Sequence, residues 1–194
     1  MKTLLFGTNN PNKLGEIREM LGDRFQILSP ADLGLDFEVD ETEDSFHGNA
    51  LLKARAYASA AGMPCFADDS GLETDALDGA PGVYSARYAG PGCSYADNVE
   101  KLLREMQGKT RRGARFQAVI AYIEGEEFRF FQGTVEGQIT EAPRGSNGFG
   151  YDPVFQPDGY DRTFAEMGPE VKHSFSHRGK AIRALVEYLT ASHA

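Results

Sequence analysis

The chain has 194 residues, 41% hydrophobic and 25% charged, with a formal net charge of −9 at pH 7; these values are typical of a globular protein long enough to bury one sizeable core. The negative charge argues against non-specific binding to nucleic acid, which requires a basic surface, but leaves room for a local pocket that binds a small anion. No apolar run is long enough to cross a bilayer, and the amino-terminal apolar stretch is too short for a signal peptide, so we expect a cytoplasmic protein.

A strand, a polar turn and a helix are predicted first. Thr3–Gly7 is a short apolar run typical of a buried strand, the next six residues are turn formers, and a helix is expected from Lys13. Such an arrangement points backbone N–H groups at an anion. Lys13 is unfavourable in the first turn of a helix unless a phosphate binds there. These residues therefore indicate a phosphate-binding loop, with a plain connecting loop and a surface lysine as the alternative.

An acidic loop and an alanine-rich helix follow a second predicted strand at Phe25–Leu28. Leu35–Asp44 is rich in acidic residues, a pattern that usually indicates a solvated surface. Asp44 or Ser45 is expected to cap a helix that runs to about Ala61. The predicted helix has one face of Leu51, Ala54, Ala58 and Ala61, and a neighbouring face of Phe46, Asn49, Lys53 and Tyr57. A lone lysine in the middle of a helix is more often a surface residue than a functional one.

The stretch Phe66-Ala67-Asp68-Asp69-Ser70-Gly71 is the main candidate for chemistry. Apolar residues that run into two carboxylates predict a short buried strand ending at an acidic turn. Ligands of α/β proteins bind at the ends of strands. Two adjacent carboxylates repel each other, so a counter-charge is expected. A divalent metal is the simplest one, since Mg²⁺ is typically held by one or two carboxylates together with substrate phosphates.

The second half of the chain begins with a long structured loop at residues 78–92, which contains Tyr84 and Arg87 and favours a subunit contact or a lid. An amphipathic helix is predicted from about Tyr95 to Gln107, closed by Gly108. The basic stretch Lys109–Arg115 is expected to be a solvated turn. Two β-rich runs, residues 116–123 and 127–139, predict an antiparallel hairpin.

Two further candidate segments lie near the carboxyl terminus. Residues 145–153 form a glycine-rich loop whose aromatic rings suit stacking on a base, with an aromatic-anchored turn as an equal alternative. One helical turn is predicted at Thr163–Met167. A last helix is predicted with Ser176 as its cap, so that His177 and Arg178 lie at its amino terminus and favour an anionic or carbonyl-rich ligand.

In this order, these motifs closely resemble those of the inosine triphosphate pyrophosphatases, which hydrolyse non-canonical purine nucleoside triphosphates. The matching stretches, spread from residue 8 to residue 179, are Thr8-x-Asn10-x-x-Lys13; Glu41-Thr42, Phe46 and Asn49-Ala50-x-x-Lys53-Ala54; Ala67-Asp68-Asp69-Ser70-Gly71-Leu72; Gly79-Ala80-Pro81-Gly82-x-Tyr84-Ser85-Ala86-Arg87; Gly148-Phe149-Gly150-Tyr151-Asp152-Pro153; and Lys172-x-x-x-Ser176-His177-Arg178-Gly179. Each motif alone is weak, but the ordered set is specific.

The resemblance implies an α/β fold: an elongated, two-lobed mixed-sheet domain with flanking helices that spans residues 1–194, with the nucleotide in the cleft between the lobes. It also implies a homodimer, Mg²⁺ as the cofactor and a purine nucleoside triphosphate as the substrate, with no nucleic acid or membrane partner. The products would be the nucleoside monophosphate and pyrophosphate.

The resemblance also implies roles for individual residues. Asp69 would be the general base for the attacking water, and Glu41 and Asp69 would hold Mg²⁺, with Asp40 as a weaker candidate ligand. The implied substrate-binding residues are Thr8, Asn9, Asn10, Pro11, Asn12, Lys13 and Lys53 for the triphosphate, Ser70, and Phe149, Gly150, Tyr151, Asp152, Lys172, His177 and Arg178 for the nucleoside. His177 and Arg178 would reach the 6-oxo edge of the purine.

Two alternative functions remain open at this point. A Maf-like pyrophosphatase has the same architecture but prefers canonical or modified pyrimidine nucleotides, and the Ser176-His177-Arg178 stretch argues against it. A non-catalytic nucleotide-binding regulator is the alternative from another class. Asp68 and Asp69 argue against a regulator, because a protein that only binds its ligand does not need adjacent acids to activate water.

Overall fold

The computed structural model describes residues 2–191, in which six strands form one mixed sheet in the order β2-β1-β3-β4-β5-β6. The strands are β1 (Lys2–Phe6), β2 (Phe25–Leu28), β3 (Cys65–Thr74), β4 (Gly113–Glu124), β5 (Glu127–Ile139) and β6 (Phe155–Pro157), and the α-helices are α1 (Pro11–Leu21), α2 (Phe46–Ala61), α3 (Tyr95–Glu105), α4 (Pro169–Phe175) and α5 (His177–Ala191). Strand β1 pairs in parallel with β2 and β3, whereas β5 and β6 are antiparallel. The predicted mixed α/β class is confirmed.

Of the described residues, one compact unit (unit 1) contains those of Met1–Asp69, Ala118–Gln132 and Arg178–Ala194, and a second (unit 2) contains those of Ser70–Gln117 and Gly133–His177. Strands β3, β4 and β5 each contribute residues to both units. The expectation of one domain over the whole chain stays a prediction. Within residues 2–191, no helix is both long and apolar enough to span a membrane.

Unit 1 is built on an apolar core to which β1, α1, β2 and α5 contribute. Ile17 and Leu21, four residues apart on one face of α1, are buried. They pack with Leu4 and Phe6 of β1, and the Phe6 ring stacks on Phe66 at 4.8 Å. This core fixes the end of β1 and the start of α1, between which the predicted phosphate loop lies.

Unit 2 has a separate aromatic core. Phe116 of β4 packs on Phe155 and Phe164, with ring centroids 4.7 and 5.9 Å apart respectively. Val99 and Leu102 of α3 are buried in the same cluster, as the amphipathic pattern predicts. Because α3, β4 and the residues 151–167 share this core, the glycine-rich loop at 145–153 is held by packed structure on its carboxyl-terminal side.

The structure corrects the predicted environment of the two adjacent aspartates. Strand β3 does not end at an acidic turn: it continues through Asp68 and Asp69 to Thr74, and both aspartates are buried. A strand can carry two buried carboxylates when cations neutralise them. Asp68 is paired with Lys13 and Arg178, and Asp69 is paired with Lys53. The acids therefore lie within the sheet rather than at the end of a strand.

Three local predictions also need correction. Helix α4 was not predicted, although Pro169 stands at its first turn. Lys109–Arg115 is not wholly a solvated turn, since Arg112 donates to main-chain carbonyls of Ile139 and Thr140, and β4 starts at Gly113. In α2, the buried residues are Phe46, Asn49, Ala50, Ala54 and Tyr57, which include members of both predicted faces rather than of one.

Candidate active site

The loop between β1 and α1 is organised by its own side chains. Asn10 caps α1, its Oδ1 accepting from the backbone N–H of Asn12 at 2.9 Å and of Lys13 at 3.3 Å. Thr8 Oγ1 accepts from the N–H of Asn10 at 3.1 Å, and Pro11 takes the first helical position. Helix α1 thus begins two residues before the predicted start. The result is a preformed turn that places the Lys13 ammonium at the amino terminus of a helix.

Asp68 is the centre of a buried charge cluster in unit 1. Its Oδ1 lies 3.1 Å from Lys13 Nζ, and its Oδ2 accepts from Arg178 Nε at 3.2 Å and Nη2 at 3.1 Å. Arg178 Nη1 in turn donates to Glu16 Oε2 at 2.5 Å. Burial alone would raise the pKa of Asp68, but Lys13 and Arg178 hold that pKa well below its usual range. Asp68 is therefore a fixed anion that holds two cations.

Asp69 is buried in a different charge environment, because neighbouring residues of a strand point to opposite faces. Lys53 Nζ lies 3.9 Å from Asp69 Oδ1 and 2.5 Å from Glu41 Oε1. Burial raises the pKa of Asp69 to about 6; the attraction of Lys53 opposes the shift and the repulsion of Glu41 adds to it. A carboxylate with a pKa near neutrality can accept a proton from water during a reaction.

Glu41 and Asp69 form a donor set that fits Mg²⁺. Both are carboxylates gathered around Lys53, and Mg²⁺ needs only one or two protein carboxylates when phosphate oxygens and waters complete its octahedral shell. Among residues 2–191, no group of three or more His, Cys, Asp or Glu side chains has the geometry to hold a metal, as a dedicated all-protein cage would. Asp40 is exposed, whereas Glu41 is half-buried against Lys53. The arrangement favours Glu41 over Asp40.

In unit 2, the carboxylate of Asp152 joins Lys172 to the glycine-rich loop. Asp152 Oδ2 accepts from Lys172 Nζ at 2.7 Å and from the backbone N–H of Phe149 at 3.0 Å, and both charged residues are buried. The Lys172 ammonium lies 5.3 Å from the centroid of the Phe149 ring. Gly148 has a φ of +71°, and a Cβ there would come within 2.0 Å of Asp152 Oδ2. The position of Phe149 thus depends on the Asp152–Lys172 pair.

The remaining predicted residues of unit 2 have varied environments. The His177 ring is buried and stacks on Phe116 at 4.6 Å with an interplanar angle of 9°. Tyr151 is buried and donates its hydroxyl proton to the carbonyl of Ser85 at 2.7 Å. This hydrogen bond ties the glycine-rich loop to the loop at residues 78–92 within unit 2. Ser70 follows Asp69 in β3 and is half-buried, and Gly150 has a φ of +63°.

The sequence that forms this site matches the model of the Ham1 family over residues 4–188. The chain belongs to the Ham1 family. It is 47% identical to the dITP/XTP pyrophosphatase of Flavobacterium johnsoniae, over 97% of this chain and 98% of that protein, and 45% identical to the dITP/XTP pyrophosphatase of Bacillus subtilis, over 98% of each. The Ham1 protein of Staphylococcus aureus, at 41% identity, superposes with a TM-score of 0.88 over 98% of this chain and all of that one. The Ham1 protein of Coxiella burnetii is 38% identical, with a TM-score of 0.90 over the same shares.

Two residues that were not predicted as site residues contribute to the site of this Ham1-family chain. Glu16 lies on α1 three residues after Lys13 and accepts from Arg178, but an acid on a helix surface carries no signal that its partner is a distant arginine. Asn49 of α2 exchanges hydrogen bonds with the backbone of Glu43 in the acidic loop. The sequence did carry a signal for Asn49: it lies four residues before Lys53, so the two side chains are neighbours on one face of the helix.

Proposed function

We propose that this Ham1-family chain hydrolyses non-canonical purine nucleoside triphosphates (ITP, dITP and XTP) to the nucleoside monophosphate and pyrophosphate, and so removes them from the nucleotide pool. The observation that carries the proposal is the contrast between Asp68 and Asp69. One aspartate is held ionised by Lys13 and Arg178, and the other has a pKa of about 6 beside Lys53 and Glu41. Two neighbouring carboxyl groups with such different pKa values can take different tasks: Asp68 stays ionised and binds cations, and Asp69 can accept a proton.

In the proposed reaction, a water oxygen attacks the α-phosphorus, the bond from that phosphorus to the bridging oxygen breaks, and pyrophosphate leaves. Asp69 accepts the proton of the attacking water. Lys13 and Lys53 neutralise phosphate charge, Thr8 and the Asn9–Asn12 turn support the triphosphate, and Ser70 contacts the substrate. Positioning and charge neutralisation supply most of the catalysis in phosphoryl chemistry.

Glu41 and Asp69 are the residues proposed to hold Mg²⁺, with Asp40 as the weaker candidate. When bound, the ion would neutralise negative charge on the phosphates and lower the pKa of water. The chain itself contributes Lys53, whose ammonium lies near both carboxylates and so keeps Glu41 and Asp69 together despite their mutual repulsion.

The nucleoside is proposed to bind with its base stacked on Phe149, with Tyr151, Gly150, Asp152 and Lys172 shaping the pocket. His177 and Arg178 are proposed to donate to the 6-oxo group that inosine and xanthosine share. Adenine carries an amino group at that position, so its binding would leave donors facing donors, a mismatch that costs far more than a missing methyl group. This pocket chemistry supports rejection of ATP.

Pyrophosphate release from a panel of nucleoside triphosphates tests the proposed function. We expect kcat/KM for ITP, dITP and XTP to exceed that for ATP by at least about a hundredfold, because adenine lacks the 6-oxo group. Activity on GTP should also be lower, but by a smaller factor, because guanine keeps that group. EDTA should abolish release, and excess Mg²⁺ should restore it. Preference for a pyrimidine nucleotide would instead support the Maf-like alternative. Tight nucleotide binding without turnover of any substrate would support the regulator.

We also propose a cytoplasmic homodimer with no nucleic-acid or membrane partner. Tyr84 is the support for the dimer: its side chain is 58% exposed in the loop at residues 78–92, with the Arg87 guanidinium 5.2 Å from its ring centroid. Exposed tyrosine and arginine are typical of interfaces. Sedimentation equilibrium should give twice the chain mass of 21.2 kDa, and a species of the single-chain mass would contradict the dimer.

A further inference from the structure

One face of α2 holds the acidic loop at three points spaced four residues apart. Asn49 Oδ1 accepts from the N–H of Glu43 at 3.0 Å, and its Nδ2 donates to the Glu43 carbonyl at 3.3 Å. Lys53 donates to Glu41, and the Tyr57 hydroxyl donates to the carbonyl of Phe37 at 3.1 Å. Because residues i, i+4 and i+8 lie above one another on a helix, the loop is fixed along two turns of α2.

Tyr57 differs from the other two contacts because it also binds the phosphate loop. Asn9 Nδ2 donates to the Tyr57 hydroxyl at 3.1 Å and to the Phe37 carbonyl at 3.1 Å. Together with the Tyr57–Phe37 bond, these contacts close a triangle whose three edges are all 3.1 Å. The hydrogens suffice, since the amide of Asn9 supplies two and the hydroxyl supplies one.

Packing holds the triangle in place. Tyr57 is 2% exposed, and its ring stacks on Phe37 at 4.9 Å with an interplanar angle of 22°. At Gly7, directly before the phosphate loop, a Cβ would come within 2.7 Å of the Tyr57 ring. The half-buried Leu35 and Val39 of the acidic loop pack on the apolar cluster that contains Tyr57. The ring is therefore wedged between the backbone of one loop and the side chains of the other.

We propose that Tyr57 is a positioning residue that fixes the phosphate loop relative to the acidic loop, and thereby sets where Glu41 stands for a divalent cation. The inference rests on the proposed function, because it assumes that Glu41 is a metal ligand and that the phosphate loop binds substrate. Loss of the hydroxyl removes two of the three edges of the triangle but leaves Lys53, Glu41 and Asp69 in place. Metal affinity should therefore weaken while the chemistry at saturating metal persists.

The test is Tyr57→Phe, with Tyr122→Phe as the matched control. Tyr122 is also 2% exposed in unit 1, but its hydroxyl bonds with Lys2 and Glu124 rather than with either loop. For Tyr57→Phe, we expect the Mg²⁺ concentration for half-maximal pyrophosphate release to rise about fivefold to tenfold, the size of effect of a buried hydrogen bond, with kcat at saturating Mg²⁺ within about twofold of wild type. Mn²⁺ binding to the metal-free protein, followed by electron paramagnetic resonance, should weaken by the same factor.

Asn9→Ala removes the two hydrogen bonds that the Asn9 amide donates to Tyr57 and Phe37. Because Asn9 is exposed, this second variant does not disturb the apolar core. It should weaken Mn²⁺ binding as Tyr57→Phe does, and the double variant should be little worse than either single one, since both break the same network. Equal Mn²⁺ binding in Tyr57→Phe and Tyr122→Phe would overturn the positioning role, as would additive effects in the double variant. Wild-type protein that neither binds Mn²⁺ nor releases pyrophosphate would overturn the proposed function itself, and the positioning role with it.

Discussion

Asp69→Asn is expected to stabilise the metal-free protein by about 1–3 kcal/mol while lowering kcat for pyrophosphate release by a hundredfold or more. The gain arises because Asp69 is 4% exposed and its pKa is raised to about 6, so keeping it ionised at pH 7 costs folding free energy. Asparagine preserves the shape of the side chain and removes that cost. Lys53 retains Glu41 as its partner. Activity and stability should thus change in opposite directions, as is common at active sites.

Asp68→Asn provides the matched control, because the same isosteric change one residue earlier should have the opposite effect on stability. Asp68 is the shared partner of Lys13 and Arg178, and breaking a buried ion pair at one partner typically costs about 3–5 kcal/mol. Thermal unfolding of both variants in EDTA measures the difference. A destabilised Asp69→Asn, or an Asp68→Asn variant as stable as wild type, would contradict the assigned charge states.

The pH dependence of stability gives a further check on the same two variants. Asp69 has a raised pKa in the folded state, so its ionisation lowers stability as pH rises from about 4 to about 6. The advantage of Asp69→Asn should therefore grow through that window and vanish below it. Asp68 has a lowered pKa, so its stabilising contribution is complete above about pH 4 and is lost as the pH falls further. The penalty of Asp68→Asn should shrink in acid.

Lys172→Met is expected to destabilise the protein by about 3–5 kcal/mol and to raise KM for ITP. The side chains of Lys172 and Asp152 are 5% and 4% exposed, so each single substitution leaves a charge in a site with little water. The pair also holds the backbone of Phe149, the proposed stacking residue. Asp152→Asn should have a similar effect for the same reason.

The double variant, combined with a surface control, separates stability from recognition. Lys172→Met with Asp152→Asn removes both charges and should recover part of the lost stability without restoring KM. The partly exposed Lys101 of α3 lies 3.9 Å from Glu105 and donates to the Tyr88 carbonyl at 2.8 Å; Lys101→Met leaves no charge buried without a partner and should cost about 1–2 kcal/mol. Chemical denaturation and steady-state kinetics measure the two effects. A Lys172→Met variant that behaves like Lys101→Met would refute the role of the pair.

Local signals made much of the fold predictable. The cap and the helically spaced apolar positions that define α2 and α3 lie within a few residues of one another. The start of α1 was missed by two residues, although Asn10 and Pro11 are local signals for it. The extension of β3 through Asp68 and Asp69 was not predictable from neighbours. It depends on Lys13 and Arg178, which are distant in sequence and neutralise Asp68 only after folding.

The candidate site was predicted unevenly. The residue types at Lys13, Asp68 and Asp69 indicated phosphate and metal chemistry by themselves, whereas the nucleoside residues and the substrate class came from the family resemblance. The separate environments of the two aspartates were not visible in the sequence, because burial and partner geometry set a pKa. Arg178 was expected to face a base, and the structure places its guanidinium against Asp68 and Glu16. Its role toward the base stays a prediction.

Hydrolysis of ITP in ¹⁸O-labelled water tests the central claim most directly, because the label reports which phosphorus the water attacks. We predict that mass spectrometry will find one ¹⁸O atom in inosine monophosphate and none in pyrophosphate, as attack at the α-phosphorus requires. Label in pyrophosphate, or release of labelled inorganic phosphate with inosine diphosphate, would show attack at another phosphorus and contradict the proposed pyrophosphatase reaction.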